Sequence, residues 1–245
     1  MICSVEKVLF NRKIEEGIYE IGIKGNFKGD PGQFYMLRPE GQEILLPRPI
    51  SIYDLKEDYI SFLYAVVGRG TELIKNLQQG SDIQIMGPLG NGFNINELEG
   101  KKVAMVAGGI GIAPLVYLSK TLKECEIDFY AGFRDVHYAV DNIEEYTKNI
   151  YISTEHGTKG HKGYITDILQ PNKYDFIVTC GPLVMMKKVI NIGKELNKKV
   201  IVSMENRMAC GLGACLGCTC NTKDGNKTTC KEGPVFYGED LMFND

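Results

Sequence analysis

The chain has 245 residues, enough for two compact domains and a small appendage at about 100–150 residues per domain. An apolar share of 44% and a charged share of 24% are those of an ordinary globular protein, and a net charge of −3 gives no electrostatic reason to expect nucleic acid or an anionic membrane as partner. No run of 18 or more apolar residues offers a membrane span, and Glu6 and Lys7 break the apolar core a signal peptide would need. With clustered thiols and no export signal, the expected location is cytoplasmic.

Residues 1–98 read as an antiparallel sheet closed into a six-stranded Greek-key β-barrel. Alternating β-branched and aromatic runs recur at Tyr19–Lys24, Gln33–Leu37, Ile50–Tyr53, Tyr59–Val67 and Asp82–Met86, separated by turn residues such as Gly29-Asp30-Pro31-Gly32. One helix is expected at Thr71–Gln79, with Leu73, Ile74 and Leu77 on one face. Two short motifs here can carry chemistry. Arg48-Pro49-Ile50-Ser51 sets a guanidinium and a hydroxyl close together on an extended backbone. Gly68-Arg69-Gly70-Thr71 opens a helix, whose first N–H groups favour an anion. Each alone is an ordinary strand start or helix cap; together they can hold one pyrophosphate between Arg48 and Gly70-Thr71.

Residues 99–204 change to strands alternating with helices, the pattern of a doubly wound α/β parallel sheet. A strand at Lys102–Ala107 runs straight into Gly108-Gly109-Ile110-Gly111-Ile112-Ala113-Pro114 and then a helical face at Leu115, Leu118 and Leu122. Strand, glycine loop and helix form a phosphate-binding arrangement, although the spacing is not G-x-G-x-x-G and no acidic ribose partner is clearly placed. Further strands are expected at Asp128–Phe133, Asn149–Ser153, Asp175–Cys180 and Lys199–Met204, with a helix showing Met185, Val189, Ile192 and Leu196 on one face. Ligands of such sheets sit at the carboxyl ends of strands, where Gly108, Gly109, Gly111, Cys180 and Gly181 fall. Cys180 reads equally well as a small buried residue. His137, His156 and His161 fall in no catalytic constellation. Arg134 would suit a 2′-phosphate and Asp135 would repel one, so the residues leave NAD against NADP open.

Residues 205–245 hold five of the eight cysteines, all within Cys210–Cys230. Cys210-x4-Cys215-x2-Cys218, with Cys230 twelve residues on, has the ligand spacing of a [2Fe–2S] ferredoxin. Gly211, Gly213 and Gly217 suit backbone that must wrap tightly with positive φ. Zinc is the competing metal, with disulfides or free thiols behind it, but only Cys215 and Cys218 form a short pair and no histidine is near.

Arg-Pro-x-Ser and Gly-Thr on a barrel, followed by Gly-Gly-x-Gly-x-x-Pro and Cys-Gly-Pro, resemble the ferredoxin–NADP reductase superfamily. The segment from Glu205 through Cys218 to Cys230, with Gly233-Pro234-Val235-Phe236, resembles the electron-transfer subunits of NAD-dependent, type B dihydroorotate dehydrogenases. The resemblance implies FAD on the barrel, with Arg48, Pro49, Ile50 and Ser51 at its pyrophosphate and flavin edge, Leu63, Tyr64 and Ala65 beside the ring, and Gly70 and Thr71 at the phosphates. It implies NAD(H) over the central domain and a [2Fe–2S] cluster on Cys210, Cys215, Cys218 and Cys230, leaving Cys220 spare. It further implies no catalytic residue in this chain and an FMN-containing catalytic subunit that holds dihydroorotate, in a heterotetramer of two copies each. Electrons would run from that FMN through the cluster and FAD to NAD⁺. The remaining readings are a FAD and iron–sulfur reductase for a hydrogenase or ferredoxin-linked transhydrogenase, and a zinc-stabilised nucleotide-binding module.

Overall fold

Period-two alternation in the first part of the chain produces a barrel, and the structure, a computed structural model, describes residues 1–41 and 45–243. Its strands are β1 (Ile2–Glu15), β2 (Ile18–Lys24), β3 (Phe34–Pro39), β4 (Arg48–Ser51), β5 (Asp54–Leu55), β6 (Tyr59–Ala65) and, after helix α1 (Arg69–Lys75), β7 (Asp82–Leu89). The order is β4-β3-β7-β1-β2-β6-β5, with antiparallel pairing throughout. The ring closes where the chain crosses from β4 to β5: Ile52 N–H donates to Gln33 O at 3.0 Å and Tyr53 N–H to Ser61 O at 3.0 Å. Counting β4 and β5 as one bent strand, this is the expected six-stranded barrel. Tyr35, Phe62, Ile21 and Ile60 fill its interior.

The strand that sequence reading missed, β1, is the longest. It pairs with β7 through Ile2–Lys7 and with β2 through Val8–Glu15, yet only Val8 is fully buried. Helix α1 is also shorter than Thr71–Gln79, because Asn11 on β1 ends it. Asn11 Nδ2 donates to the carbonyls of Ile74 (2.8 Å), Lys75 (3.1 Å) and Leu77 (3.0 Å), which the next turn would otherwise use.

After a short helix α2 (Ile95–Leu98), the second sheet comprises β8 (Lys102–Gly108), β9 (Glu126–Phe133), β10 (Asn149–Thr154), β11 (His161–Lys162), β12 (Phe176–Cys180) and β13 (Lys199–Ser203). They lie parallel in the order β11-β10-β9-β8-β12-β13. Two crossovers are α-helical, α3 (Ile112–Thr121) and α4 (Leu183–Glu195); the others contain only short 3₁₀ turns at 141–146, 165–167 and 171–173. Those stretches carry Gly157, Gly160, Gly163 and Pro171 and no long apolar repeat. On α4 the buried face is Met186, Val189, Ile190 and Gly193, rotated from the expected Met185, Ile192 and Leu196. Beneath α3 one core runs from Val103, Leu115 and Phe129 to Ile18, Tyr53 and Leu63 of the barrel, so the two domains share apolar packing.

The C-terminal segment forms a hairpin, β14 (Thr219–Thr222) with β15 (Gly225–Thr228), and then β16 (Val235–Tyr237). β16 adds antiparallel to β13, so the expected boundary at residue 205 divides segments that share a sheet. Residues 244–245 of the expected third domain lie outside the described residues.

Candidate functional site

A cleft of ≈ 840 Å³ opens between the barrel, the glycine loop after β8 and the segment following β13. All nine barrel residues expected at a flavin line it: Arg48, Pro49, Ile50, Ser51, Leu63, Tyr64, Ala65, Gly70 and Thr71. Strand β4 presents Arg48–Ser51 half-buried, while Leu63 and Tyr64 on β6 are almost fully buried. The Arg48 guanidinium lies against Gly70, where any Cβ would collide with it. Its Nη1 donates to the Leu46 carbonyl. A cation held on side-chain-free backbone suits a phosphate group. Thr71 spends its hydroxyl locally, accepting from Val67 N–H (3.0 Å) and Gly68 N–H (3.2 Å) and donating to Gly68 O (3.0 Å). Tyr64 O–H donates to Asn11 Oδ1 at 3.1 Å, so Asn11 ties the cleft floor to α1.

The residues expected at a nicotinamide dinucleotide meet where β8 and β12 end side by side. A Cβ on Gly111 would strike the Cys180 carbonyl and come within 2.6 Å of Gly181 N; one on Gly181 would lie 2.8 Å from Gly108 N. A Cβ on Gly108 would lie 2.6 Å from Pro182 Cδ. These three glycines let two strand-to-helix junctions touch. Gly109 differs, with φ of +53° and nothing closer to a Cβ than the Tyr138 hydroxyl at 3.8 Å, which leaves room for a ligand.

Cys180 is fully buried, and burial, followed by the nearby Glu205 charge, raises its thiol well above the usual range. Glu205 lines the cleft; its side chain still reaches solvent, while the protein walls around it raise its carboxyl pKa by desolvation. Tyr138 is raised by burial and by the same carboxylate. Glu205 thus lies within electrostatic reach of both Cys180 and Tyr138, and neither Glu205 nor Tyr138 was among the sites expected from sequence. No motif marks Glu205; only the fold carries it to Cys180.

The thiols of the C-terminal loop sort into two neighbouring pairs, Cys210 with Cys215 and Cys218 with Cys230. Each sulfur accepts a backbone N–H. Leu212 (3.3 Å) and Cys215 (3.4 Å) donate to Cys210, Gly217 (3.5 Å) to Cys215, Cys230 (3.4 Å) to Cys218, and Gly213 (3.0 Å) to Cys230. The Leu212 N–H, ahead of that of Cys215, pulls Cys210 down to about 6, whereas burial pushes Cys230 up. Cys220 does the opposite of the four, donating its S–H to the Lys227 carbonyl at 3.5 Å. Positive φ occurs at Gly211 (+71°) and Gly213 (+78°), but the third such residue is Leu216 (+58°) rather than Gly217. Among the described residues, no three or more His, Cys, Asp or Glu side chains gather as a site for one metal ion. Two cysteine pairs whose sulfurs accept backbone N–H groups fit a two-iron cluster better than a single zinc.

A family model described as the iron-sulfur cluster binding domain of dihydroorotate dehydrogenase B matches residues 205–242. Over 242 residues the chain is 56% identical to the dihydroorotate dehydrogenase B (NAD(+)), electron transfer subunit of Clostridium acetobutylicum, covering 99% of this chain and 98% of that protein. The chain belongs to that electron-transfer-subunit family. A second family member, from Clostridium perfringens, is 48% identical over 241 residues, covering 97% of each. Among solved structures, one described as the NADH-dependent reduced ferredoxin-NADP oxidoreductase superposes with a TM-score of 0.87 at 28% identity, covering 98% of this chain and 90% of that chain. For this family member, the iron–sulfur match sets aside the zinc reading of residues 205–242.

Proposed function

We propose that this chain carries electrons between dihydroorotate oxidation and NAD⁺ in pyrimidine (UMP) biosynthesis. The observation that carries the reading is end-to-end identity of 56% to a dihydroorotate dehydrogenase B (NAD(+)), electron transfer subunit, in a chain whose thiol loop abuts a nucleotide-sized cleft. FAD occupies the cleft, NAD(H) lies over Gly108, Gly109, Gly111, Cys180 and Gly181, and Cys210, Cys215, Cys218 and Cys230 hold the [2Fe–2S] cluster. When bound, these groups supply hydride exchange at nicotinamide, single-electron transfer at iron, and both at flavin.

The chain's own residues bind and insulate. Arg48 neutralises pyrophosphate beside Gly70, with no side chain between them. Leu63 and Tyr64 keep water from the cleft floor. Backbone N–H groups stabilise negative charge on the four sulfurs. Glu205 is readier to hold a proton than an open carboxylate. The partner is an FMN-containing catalytic subunit, paired two with two in the cytoplasm; nucleic acid and membrane play no part. No helix among the described residues is long and apolar enough to cross a membrane.

The test is purification with and without that FMN subunit. We expect flavin and iron in this chain alone, and dihydroorotate-dependent NAD⁺ reduction only when both chains are present. A complex that reduces NAD⁺ with a hydrogenase or ferredoxin partner but never with dihydroorotate would overturn the reading.

A further inference from the structure

The thiol loop and the cleft share a wall. Phe34 on β3, 2% exposed, lines the cleft and also packs in one apolar cluster with Met36, Leu89, Cys218 and Cys230. Met208 lines the cleft as well and packs on the same cluster. Asn206, a third cleft residue, donates from Nδ2 to the Cys218 carbonyl at 3.1 Å, which Thr229 N–H (3.0 Å) and Oγ1 (2.9 Å) also engage. The two thiol pairs differ in depth. Cys218 and Cys230 are each 2% exposed, whereas Cys210 is half-buried and Cys215 open to solvent. Leu216, beside Cys215, is 64% exposed. The loop therefore has an inner pair, packed against cleft residues, and an outer pair turned to solvent.

We infer that Phe34, assisted by Met208, is a positioning residue for electron transfer: it seats the Cys218/Cys230 side of the cluster against the flavin cleft and keeps that side dry. The inference rests on the cofactor placement proposed above. Phe34 contributes no atom and no proton; it sets separation and polarity. Reduction adds negative charge to a cluster, and water stabilises that charge, so exposure makes the potential more positive. A dry inner side holds the potential down.

Phe34→Ala in the full chain, loaded with FAD and iron, tests this by potentiometric titration of the cluster's EPR signal. The expected result is unchanged FAD and iron content, with the reduction equilibrium moved at least tenfold toward the reduced cluster, 59 mV positive for one electron. Phe34→Leu should restore the wild-type potential, and Leu216→Ala on the outer side should leave it in place. An unmoved potential in fully loaded Phe34→Ala protein overturns the inference, as does an equal shift in Leu216→Ala. If Phe34→Ala sheds a cofactor, Met208→Ala decides: a positive shift supports the wall, and none refutes it. Wild-type protein lacking iron or FAD would instead refute the cofactor placement.

Discussion

Cys220 differs from the other four thiols of its loop in its hydrogen bonding. It follows Cys218 by two residues and so offers a substitute ligand, yet its sulfur donates to a carbonyl while the other four accept N–H groups. Cys220→Ser should therefore retain two irons per chain and the visible spectrum, and Cys215→Ser should lose both; iron analysis with absorption spectra checks each. Arg48→Ala removes a charge-assisted phosphate contact worth about 1.5–3 kcal/mol, so FAD should dissociate roughly 10- to 150-fold more readily in fluorescence titration. Glu205 makes a pH prediction. Its carboxyl pKa is raised in the folded chain, so ionisation penalises the fold as pH rises above the ordinary glutamate range, and no penalty exists where both states are protonated. Glu205→Gln should then raise the thermal midpoint relative to wild type at pH 7–8, the gain fading toward pH 4. A gain independent of pH would refute the assignment.

At the level of elements, the junctions after β8 and β12 are more tightly specified than a phosphate loop requires. Gly111→Ala would drive a Cβ into the Cys180 carbonyl, a backbone group that cannot swing aside. We expect a loss of about 1–3 kcal/mol in denaturant unfolding even without nucleotide. This separates the packing role of these glycines from any ligand role, which sequence alone could not do. The aromatic strands β3 and β6 were readable because buried residues crowd them, and Gly108–Pro114 because glycines and proline punctuate a strand–helix change. Strand β1 was not, since charged and polar residues interrupt its apolar ones and only Val8 is fully buried. Missing β1 also hid Asn11, which shortens α1 and braces Tyr64. Glu205 and Asn206 escaped for a different reason: each matters through a neighbour distant in sequence.

Across the whole molecule, polar ties between the barrel and the second domain include Lys120 to Asp54 (2.9 Å), Asn142 to the Tyr53 hydroxyl (2.7 Å) and Tyr117 to the Gly29 carbonyl (3.0 Å). Lys120 and Asp54 are 17% and 13% exposed, so their pair is only weakly screened. Lys120→Met should lower stability by about 1.5–3 kcal/mol in thermal or denaturant unfolding. Full stability in that variant would mean the shared apolar core alone sets the domain arrangement.

The pairing of β13 with β16 reaches further than sheet geometry. Met204 N–H donates to Pro234 O at 2.8 Å, so the excursion carrying every cysteine from Cys210 to Cys230 leaves and re-enters the sheet at one point. Asn91 of the barrel clasps the returning arm, its N–H donating to Gly233 O and its Nδ2 to Lys231 O and Glu232 O. Closing such a loop is the costly step in assembling a site from distant residues, and the pairing of β13 with β16 holds its two ends together. A change that loosens β16 should therefore be felt at the thiols, although no cysteine lies on that strand.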